Sequence, residues 1–248
     1  MTTPQVLVHS TADDLAEAVC ARLLTTFVDI QATGRVPSWV LTGGSIADRI
    51  HAAVAASKAR DGVDWARVEL WWGDERFLPS QDADRNETQA RKVLLDRLPL
   101  DPPLVHPMAA SDEVDGDLDA AAEHYSEALR GAGNHEESGT PAFDVAMLGV
   151  GPDGHVASLF PGRSELHEKR PAVAVRDSPK PPPTRITLTL AALQRARQVW
   201  FVVAGDDKAD AVQRALTGAD VIQVPAAGPR GTKRTLWLLD GAAASALQ

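Results

Sequence analysis

Asp153 and His155 stand two residues apart in the glycine-rich stretch Gly149-Val150-Gly151-Pro152-Asp153-Gly154-His155. An imidazole beside a carboxylate on a tight turn suits general base or acid chemistry, the carboxylate fixing the ring. A structural histidine on a turn is the competing reading. The stretch also satisfies a G-x-G-x-x-G dinucleotide pattern in form. Its residues argue against that use. Pro152 has no N–H for a pyrophosphate, Asp153 would set a negative charge beside it, and Pro161 stops any helix that opens at His155.

Three further clusters carry chemistry. Thr42-Gly43-Gly44-Ser45 joins an apolar run to a helical pattern. Glycines there allow a tight turn and close backbone approach, and the free N–H groups of a helix start favour a phosphate. The alternative is simple capping, with Ser45 as N-cap and Asp48 three residues on. Gly73-Asp74-Glu75-Arg76 puts three ionisable side chains directly after another apolar run, either as part of a site or as a surface ion-pair cluster. In Gly205-Asp206-Asp207-Lys208 the lysine falls in the first turn of a helical pattern, where a cation opposes the helix dipole. A nearby bound anion would account for it, and so would pairing with Asp206 or Asp207. Arg185, after a proline run, either reaches an anion or merely flanks a strand. The remaining histidines show no HxxxH or HExxH spacing, so no metal site is indicated.

The elements needed to position these clusters follow from hydrophobic periodicity. Strands are expected at Gln5–His9, Ser38–Thr42, Arg67–Trp72, Phe143–Val150, Ala172–Val175, Arg185–Leu190, Gln198–Ala204, Val221–Gln223 and Thr235–Leu239. Helical patterns cover Ala12–Gln31, Ile46–Ala59, Glu87–Arg97, Leu118–Leu129 and Asp207–Leu216. Several strands are apolar throughout, as in a parallel sheet covered on both faces. The expectation is a single α/β domain over residues 1–248, a doubly wound, mostly parallel, Rossmann-like sheet. Residues 111–140 read as an acidic, solvated helix and loop, and Ser178–Pro183 as extended, partly polyproline-like chain. If the strands are parallel, the glycine loop, Asp74–Arg76, Asp153–His155 and Lys208 all open on one rim, where ligands of such sheets bind.

Composition narrows the function. The chain has 248 residues, 44% hydrophobic and 24% charged, ordinary for a globular protein. One cysteine, Cys20, excludes an intrachain disulfide or a multi-cysteine metal centre. No apolar run has the length of a membrane span, and MTTPQVLVHS lacks the pattern of a secretory leader, which points to the cytoplasm. A net charge of −9 disfavours nucleic acid and anionic membranes as partners. It leaves room for a small anion held by a few local cations.

Six segments, in order, resemble the 6-phosphogluconolactonases: LTGGS (41–45), WWGDERFLPSQDADRNETQARKVLLDRLP (71–99), HPMAA (106–110), FDVAMLGVGPDGHVASLFPG (143–162), RITLTLAAL (185–193) and AGDDKADAV (204–212). The related glucosamine-6-phosphate isomerase/deaminases share the fold and part of the motif set. The resemblance implies hydrolysis of 6-phospho-D-glucono-1,5-lactone, without cofactor or metal, by a monomer or weak homodimer. It implies His155 as the acid/base and Asp153 as its orienting partner, with Asp74 in the sugar pocket and Arg76 on the substrate. Gly43, Gly44, Ser45, Arg185 and Lys208 would hold the phosphate. Two positions depart from the family pattern: Ile46-Ala47 replace a frequent Thr-Pro, and Ala191 replaces a usual proline. The rival readings are an amino-sugar-phosphate isomerase/deaminase and a non-enzymatic sugar-phosphate sensor. The deaminases carry a Glu five residues after the turn histidine, where this chain has Phe160.

Overall fold

Trp39-Val40-Leu41, Val145–Leu148 and Val199–Val203 have no polar face to give to water, and each is buried along its whole length. The computed structural model describes residues 2–133 and 139–247, so residues 134–138 of the acidic segment lie outside the described residues. The strands are β1 (Pro4–His9), β2 (Ser38–Leu41), β3 (Glu69–Trp72), β4 (Asp74–Arg76), β5 (Val105–His106), β6 (Val145–Leu148), β7 (Ala172–Val175), β8 (Arg185–Leu188), β9 (Gln198–Val203) and β10 (Arg234–Asp240). The helices are α1 (Ala12–Ala32), α2 (Ser45–Ala56), α3 (Asn86–Val93), α4 (Leu118–Ala132), α5 (Leu190–Leu193) and α6 (Ala209–Leu216).

Seven strands form one sheet in the order β1-β10-β9-β6-β2-β3-β5, every pair parallel. The order reverses between β2 and β6. From β2 the chain moves outward to β3 and β5, and from β6 it moves the other way to β9 and β10. Loops leaving the C-terminal ends of β2 and β6 therefore diverge and leave a crevice, the usual ligand position in an open α/β sheet. Cross-strand aromatics tighten the β9–β10 side, where Phe201 and Trp237 pair in register and stack at 4.1 Å.

Helix α1 starts at Thr11, whose hydroxyl accepts the Asp14 N–H at 3.1 Å. Leu15, Val19, Leu23 and Phe27, four residues apart, bury its inner stripe. On α4, the Tyr125 hydroxyl accepts from Trp72 N–H at 2.8 Å and donates to the Trp72 carbonyl at 3.1 Å. That pins the end of β3, immediately before the ionisable cluster.

Three features differ from expectation. Val221–Gln223 is a turn, because the Asp220 carboxylate takes the Ile222 N–H at 2.7 Å and the Asp220 carbonyl takes those of Gln223 and Val224. Ser178–Pro183 is not extended: it folds back, with Ser178 N–H bonded to the Pro183 carbonyl at 2.9 Å. Asp74–Arg76 is itself a strand. Gly73 accepts from Leu188 N–H at 2.8 Å, and the chain leaves the large sheet there for a second, antiparallel one, β4-β8-β7.

His51, on the buried face of α2, packs edge-on to Trp39 with centroids 5.7 Å apart, and neither ring nitrogen has a hydrogen-bond partner among the described residues. Burial holds its pKa down at about 4 against an ordinary 6.5. The unfolded chain therefore takes up a proton there between those values that the folded chain refuses. Stability is full above pH 6.5 and falls as pH drops toward 4, by about 2 kcal/mol at pH 5. Urea unfolding of wild type and His51→Leu at pH 7 and pH 5 reads this directly: the difference between the two proteins should shift by that amount in favour of the variant at pH 5.

Candidate active site

The loops after β2, β6 and β9, together with strand β4 and the β7–β8 connection, enclose a cavity of about 410 Å³ at the reversal of strand order. All nine residues singled out for chemistry are close to it. Gly43, Gly44, Ser45, Asp74, Arg76, His155, Arg185 and Lys208 line the wall, and Asp153 stands behind His155.

His155 Nδ1 and Asp153 Oδ1 are 2.5 Å apart, and the same carboxylate oxygen lies 3.9 Å from Lys180 Nζ. Burial pushes the Asp153 carboxyl up, but the hydrogen bond and charge of His155, aided by Lys180, outweigh it and hold it at about 2. The carboxylate is thus ionised at any working pH and fixes a proton on Nδ1. Nε2 is left as the nitrogen able to take or give a proton. The ring rests against Phe160 at 4.7 Å. Backbone bonds close the turn beneath: Gly154 N–H to the Gly151 carbonyl at 2.9 Å and Gly151 N–H to the His155 carbonyl at 3.0 Å. Glycine at 151 is a steric requirement, since a Cβ there would lie 2.0 Å from the imidazole.

The second wall comes from β4. Asp74 and Arg76 line the cavity, and Glu75, between them, points to the opposite side and is buried, as strand alternation demands. Asp74 accepts the Ser158 hydroxyl at 2.7 Å, and Asn86 Nδ2 donates to its carbonyl at 2.9 Å. Arg76 is anchored by the Asp84 carbonyl at 2.7 Å. Glu75 accepts the N–H groups of Arg76, Asn86 and Glu87 at 2.7, 2.7 and 2.8 Å, with the buried Arg85 guanidinium 3.9 Å away. Burial pushes its carboxyl up to about 7 against the pull of Arg85 and those donors. One side chain thereby ties β4 to the start of α3.

Arg76, Arg185 and Lys208 line the same cavity as the glycine loop. Register pairs Arg76 with Arg185 across β4–β8, two like charges side by side. The Arg185 guanidinium donates to the Lys180, Pro181 and Pro182 carbonyls at 3.1, 3.0 and 3.3 Å. This explains the folded proline segment, whose carbonyls find a donor there. Lys208 binds Asp207 at 2.6 Å, the pairing considered for it, while still lining the cavity. It caps α6 rather than lying inside it, because Asp206–Lys208 forms a separate 3-10 turn. Ser45 is likewise not the N-cap. Gly44 is, at φ +99°, a conformation that favours glycine, and Ser45 is the first residue of α2 with no side-chain cap bond. The capping-box reading fails, and the first N–H groups of α2 are left facing the cavity. Gly43 packs on Asn86 so closely that a Cβ would lie 2.0 Å from its Oδ1.

Sequence reasoning did not assign Glu75, Asn86, Ser158 or Lys180 a place. Glu75 turns away from the cavity only because Asp74–Arg76 is a strand, which its polar sequence does not announce. The others reach the site only through tertiary packing. Among the described residues, no group of three or more His, Cys, Asp or Glu could hold a metal ion.

Residues 10–237 match the family model described as glucosamine-6-phosphate isomerases/6-phosphogluconolactonase. The chain belongs to this family. It is 56% identical to a Streptomyces coelicolor 6-phosphogluconolactonase over 99% of this chain and 95% of that one. It is 50% identical to the 6-phosphogluconolactonase of Mycobacterium tuberculosis over 84% of each. The Trypanosoma brucei 6-phosphogluconolactonase structure superposes with a TM-score of 0.85 at 28% identity over the whole of both chains. A monomeric glucosamine-6-phosphate deaminase shares the fold, with a TM-score of 0.79 at 17% identity over 98% of this chain and 99% of that one.

Gly151→Ala tests the turn without substituting either partner of the dyad. The methyl must push the imidazole off Asp153. The low-field Nδ1 proton resonance of His155 should vanish from the 1H NMR spectrum while the rest of the spectrum stays folded.

Proposed function

We propose that the chain hydrolyses 6-phospho-D-glucono-1,5-lactone to 6-phospho-D-gluconate, in the oxidative branch of the pentose phosphate pathway, as a single sugar-phosphate domain. The observation that carries this reading is one cavity lined both by His155, with Asp153 behind it, and by the cations Arg76, Arg185 and Lys208. It suits a substrate with an electrophilic carbonyl at one end and a phosphate at the other.

In this reading the 6-phosphate sits against Lys208, Arg185, Arg76 and the N–H groups that open α2, through Gly44 and Ser45. Gly43 keeps that loop pressed on Asn86. Anchoring at a remote group supplies positioning energy at the reacting carbon. His155 Nε2 takes a proton from water as its oxygen attacks C1, and Asp153 stabilises the imidazolium. Collapse of the tetrahedral intermediate breaks the bond to the ring oxygen, which receives the same proton back from Nε2. Asp74, held by Ser158 and Asn86, is placed to accept a sugar hydroxyl. A lactone is an activated ester, so no covalent nucleophile is called for. Acidity, the single thiol and the small substrate fit a cytoplasmic enzyme working as a monomer or weak homodimer.

The isomerase/deaminase reading gains nothing from the site. The residue five positions after the turn histidine is Phe160, which packs on the His155 ring and offers no carboxylate.

A coupled assay tests the reading: glucose-6-phosphate dehydrogenase generates the lactone, and 6-phosphogluconate dehydrogenase reports its hydrolysis at mildly acid pH. The protein should accelerate hydrolysis over the spontaneous rate, and no acceleration would refute the assignment. His155→Ala should lower kcat about 10²–10⁴-fold while 6-phosphogluconate still binds. Lys208→Ala should raise KM about tenfold, with kcat much less affected, as expected for loss of one charge-assisted contact to a remote group.

A further inference from the structure

A second cavity, of about 630 Å³, opens at the other end of the sheet, between α1 and the residues that start β9 and β10. Strands of six and seven residues separate it from the candidate active site, about 20 Å along the chain direction. Its volume lies in the range of small-molecule sites. Arg22, Arg35, Arg197, Lys233 and Arg234 enter it, against only Asp29 and Asp144. This inverts the balance of the whole chain, where 34 acidic residues face 25 basic ones.

The charges inside are not mutually satisfied. Asp144 is buried and committed: Arg35 holds it at 2.8 and 3.0 Å, the Ser38 N–H at 3.2 Å, and Arg197 approaches to 3.4 Å. Asp29 is exposed and forms no ion pair among the described residues. Arg22 and Lys233 have no carboxylate partner among the described residues, and Arg234 reaches only the neutral Gln5 side chain at 3.2 Å. Among the described residues Arg22 Nε is buried without a hydrogen-bond partner, and burial, with Arg234 nearby, disfavours its charge. Like charges converge here on an open, half-buried space, beside an apolar wall formed by Ala18, Ala21 and Ile30 of α1.

We propose that this cavity is a second ligand site, taking the polyphosphate group of a nucleotide-sized anion between Arg22, Lys233 and Arg234, with Arg35 and Arg197 behind. The phosphate oxygens supply the acceptors that these guanidinium and ammonium groups lack. The lactonase reading is not needed for it.

Isothermal titration of the full chain with tripolyphosphate and with ATP, in magnesium-free, low-salt buffer, tests the site. The expected result is a binding event weakened at least tenfold in Arg22→Glu/Lys233→Glu, retained in Lys208→Ala, and reduced by added salt. Arg22→Gln/Lys233→Gln gives a milder loss and covers the case in which the double reversal does not fold. Tighter binding of ATP than of tripolyphosphate identifies a nucleotide, and equal binding identifies the phosphate chain alone. Absence of binding, binding indifferent to both double variants, or binding lost in Lys208→Ala overturns the proposal.

Discussion

The site depends on one topological constraint: the parallel sheet reverses its strand order between β2 and β6. Two adjacent parallel strands whose connections leave in opposite directions cannot have the crevice above them covered by their own crossovers. The glycine loop after β2 and the Asp153–His155 turn after β6 face each other across that gap. Neither could be placed so by local sequence. Register between the strands, with Trp39 beside Val145 and Val40 beside Ala146, sets how far each loop projects. The apolar strands leave both faces no choice but burial, and so fix the ends from which these loops depart.

A second constraint acts at the end of β3, where the chain changes sheets. Gly73 bonds to the Leu41 carbonyl on one side and accepts from Leu188 on the other. Asp74–Arg76 then runs antiparallel to β8, which brings Arg185 beside Arg76 and Thr187 beside Asp74. Glu75 holds this arrangement from behind. A buried carboxylate without partners would be costly, but this one meets three N–H donors and a guanidinium. Its value is geometric. It fixes the start of α3, hence Asn86, hence both the Gly43 backbone and the Asp74 carbonyl. A cluster that the sequence leaves open between a site and surface ion pairing is, in the fold, a largely buried junction between two sheets that also lines the cavity.

What the sequence made legible follows the range of the forces involved. Strands that are apolar at every position, such as Val145–Leu148 and Val199–Val203, declare a two-sided sheet, and the loops after them were located with it. Short strands held only by distant partners were not legible: Val105–His106 has two residues, and Asp74–Arg76 is polar throughout. Val221–Gln223 looked like a strand because it is β-branched and apolar, yet the Asp220 side chain captures the local N–H groups first. The capping alternative at Ser45 fails for a similar reason, since the positive φ that makes Gly44 the cap has no counterpart in hydrophobic pattern. The proline run deceived through its carbonyls. Residues without N–H groups promise extended chain, but Arg185 draws three of those carbonyls inward.

The distribution of charge explains how an acidic chain can serve an anionic substrate. The far field of a −9 protein repels phosphate, but at about 10 Å that field is screened by physiological salt. Inside a cavity the nearest groups decide. Arg76 and Arg185 are set side by side by a strand register, and Arg185 is stripped of most of its water by burial. Burial is the main influence against the Arg185 charge, and Asp74, on the same strand as Arg76, offsets the repulsion that Arg185 feels from Arg76; an entering phosphate would support that charge. Asp153, by contrast, is kept away from the phosphate end by its commitment to His155 and Lys180. Each carboxylate of the crevice is thus already committed: Asp153 to His155 and Lys180, Asp74 to the Ser158 hydroxyl, Asp207 to Lys208. The charged groups arrive from β4, from β8 and the connection before it, and from the loops after β6 and β9 rather than from one segment, which is why a parallel sheet with several loops on one rim suits the task.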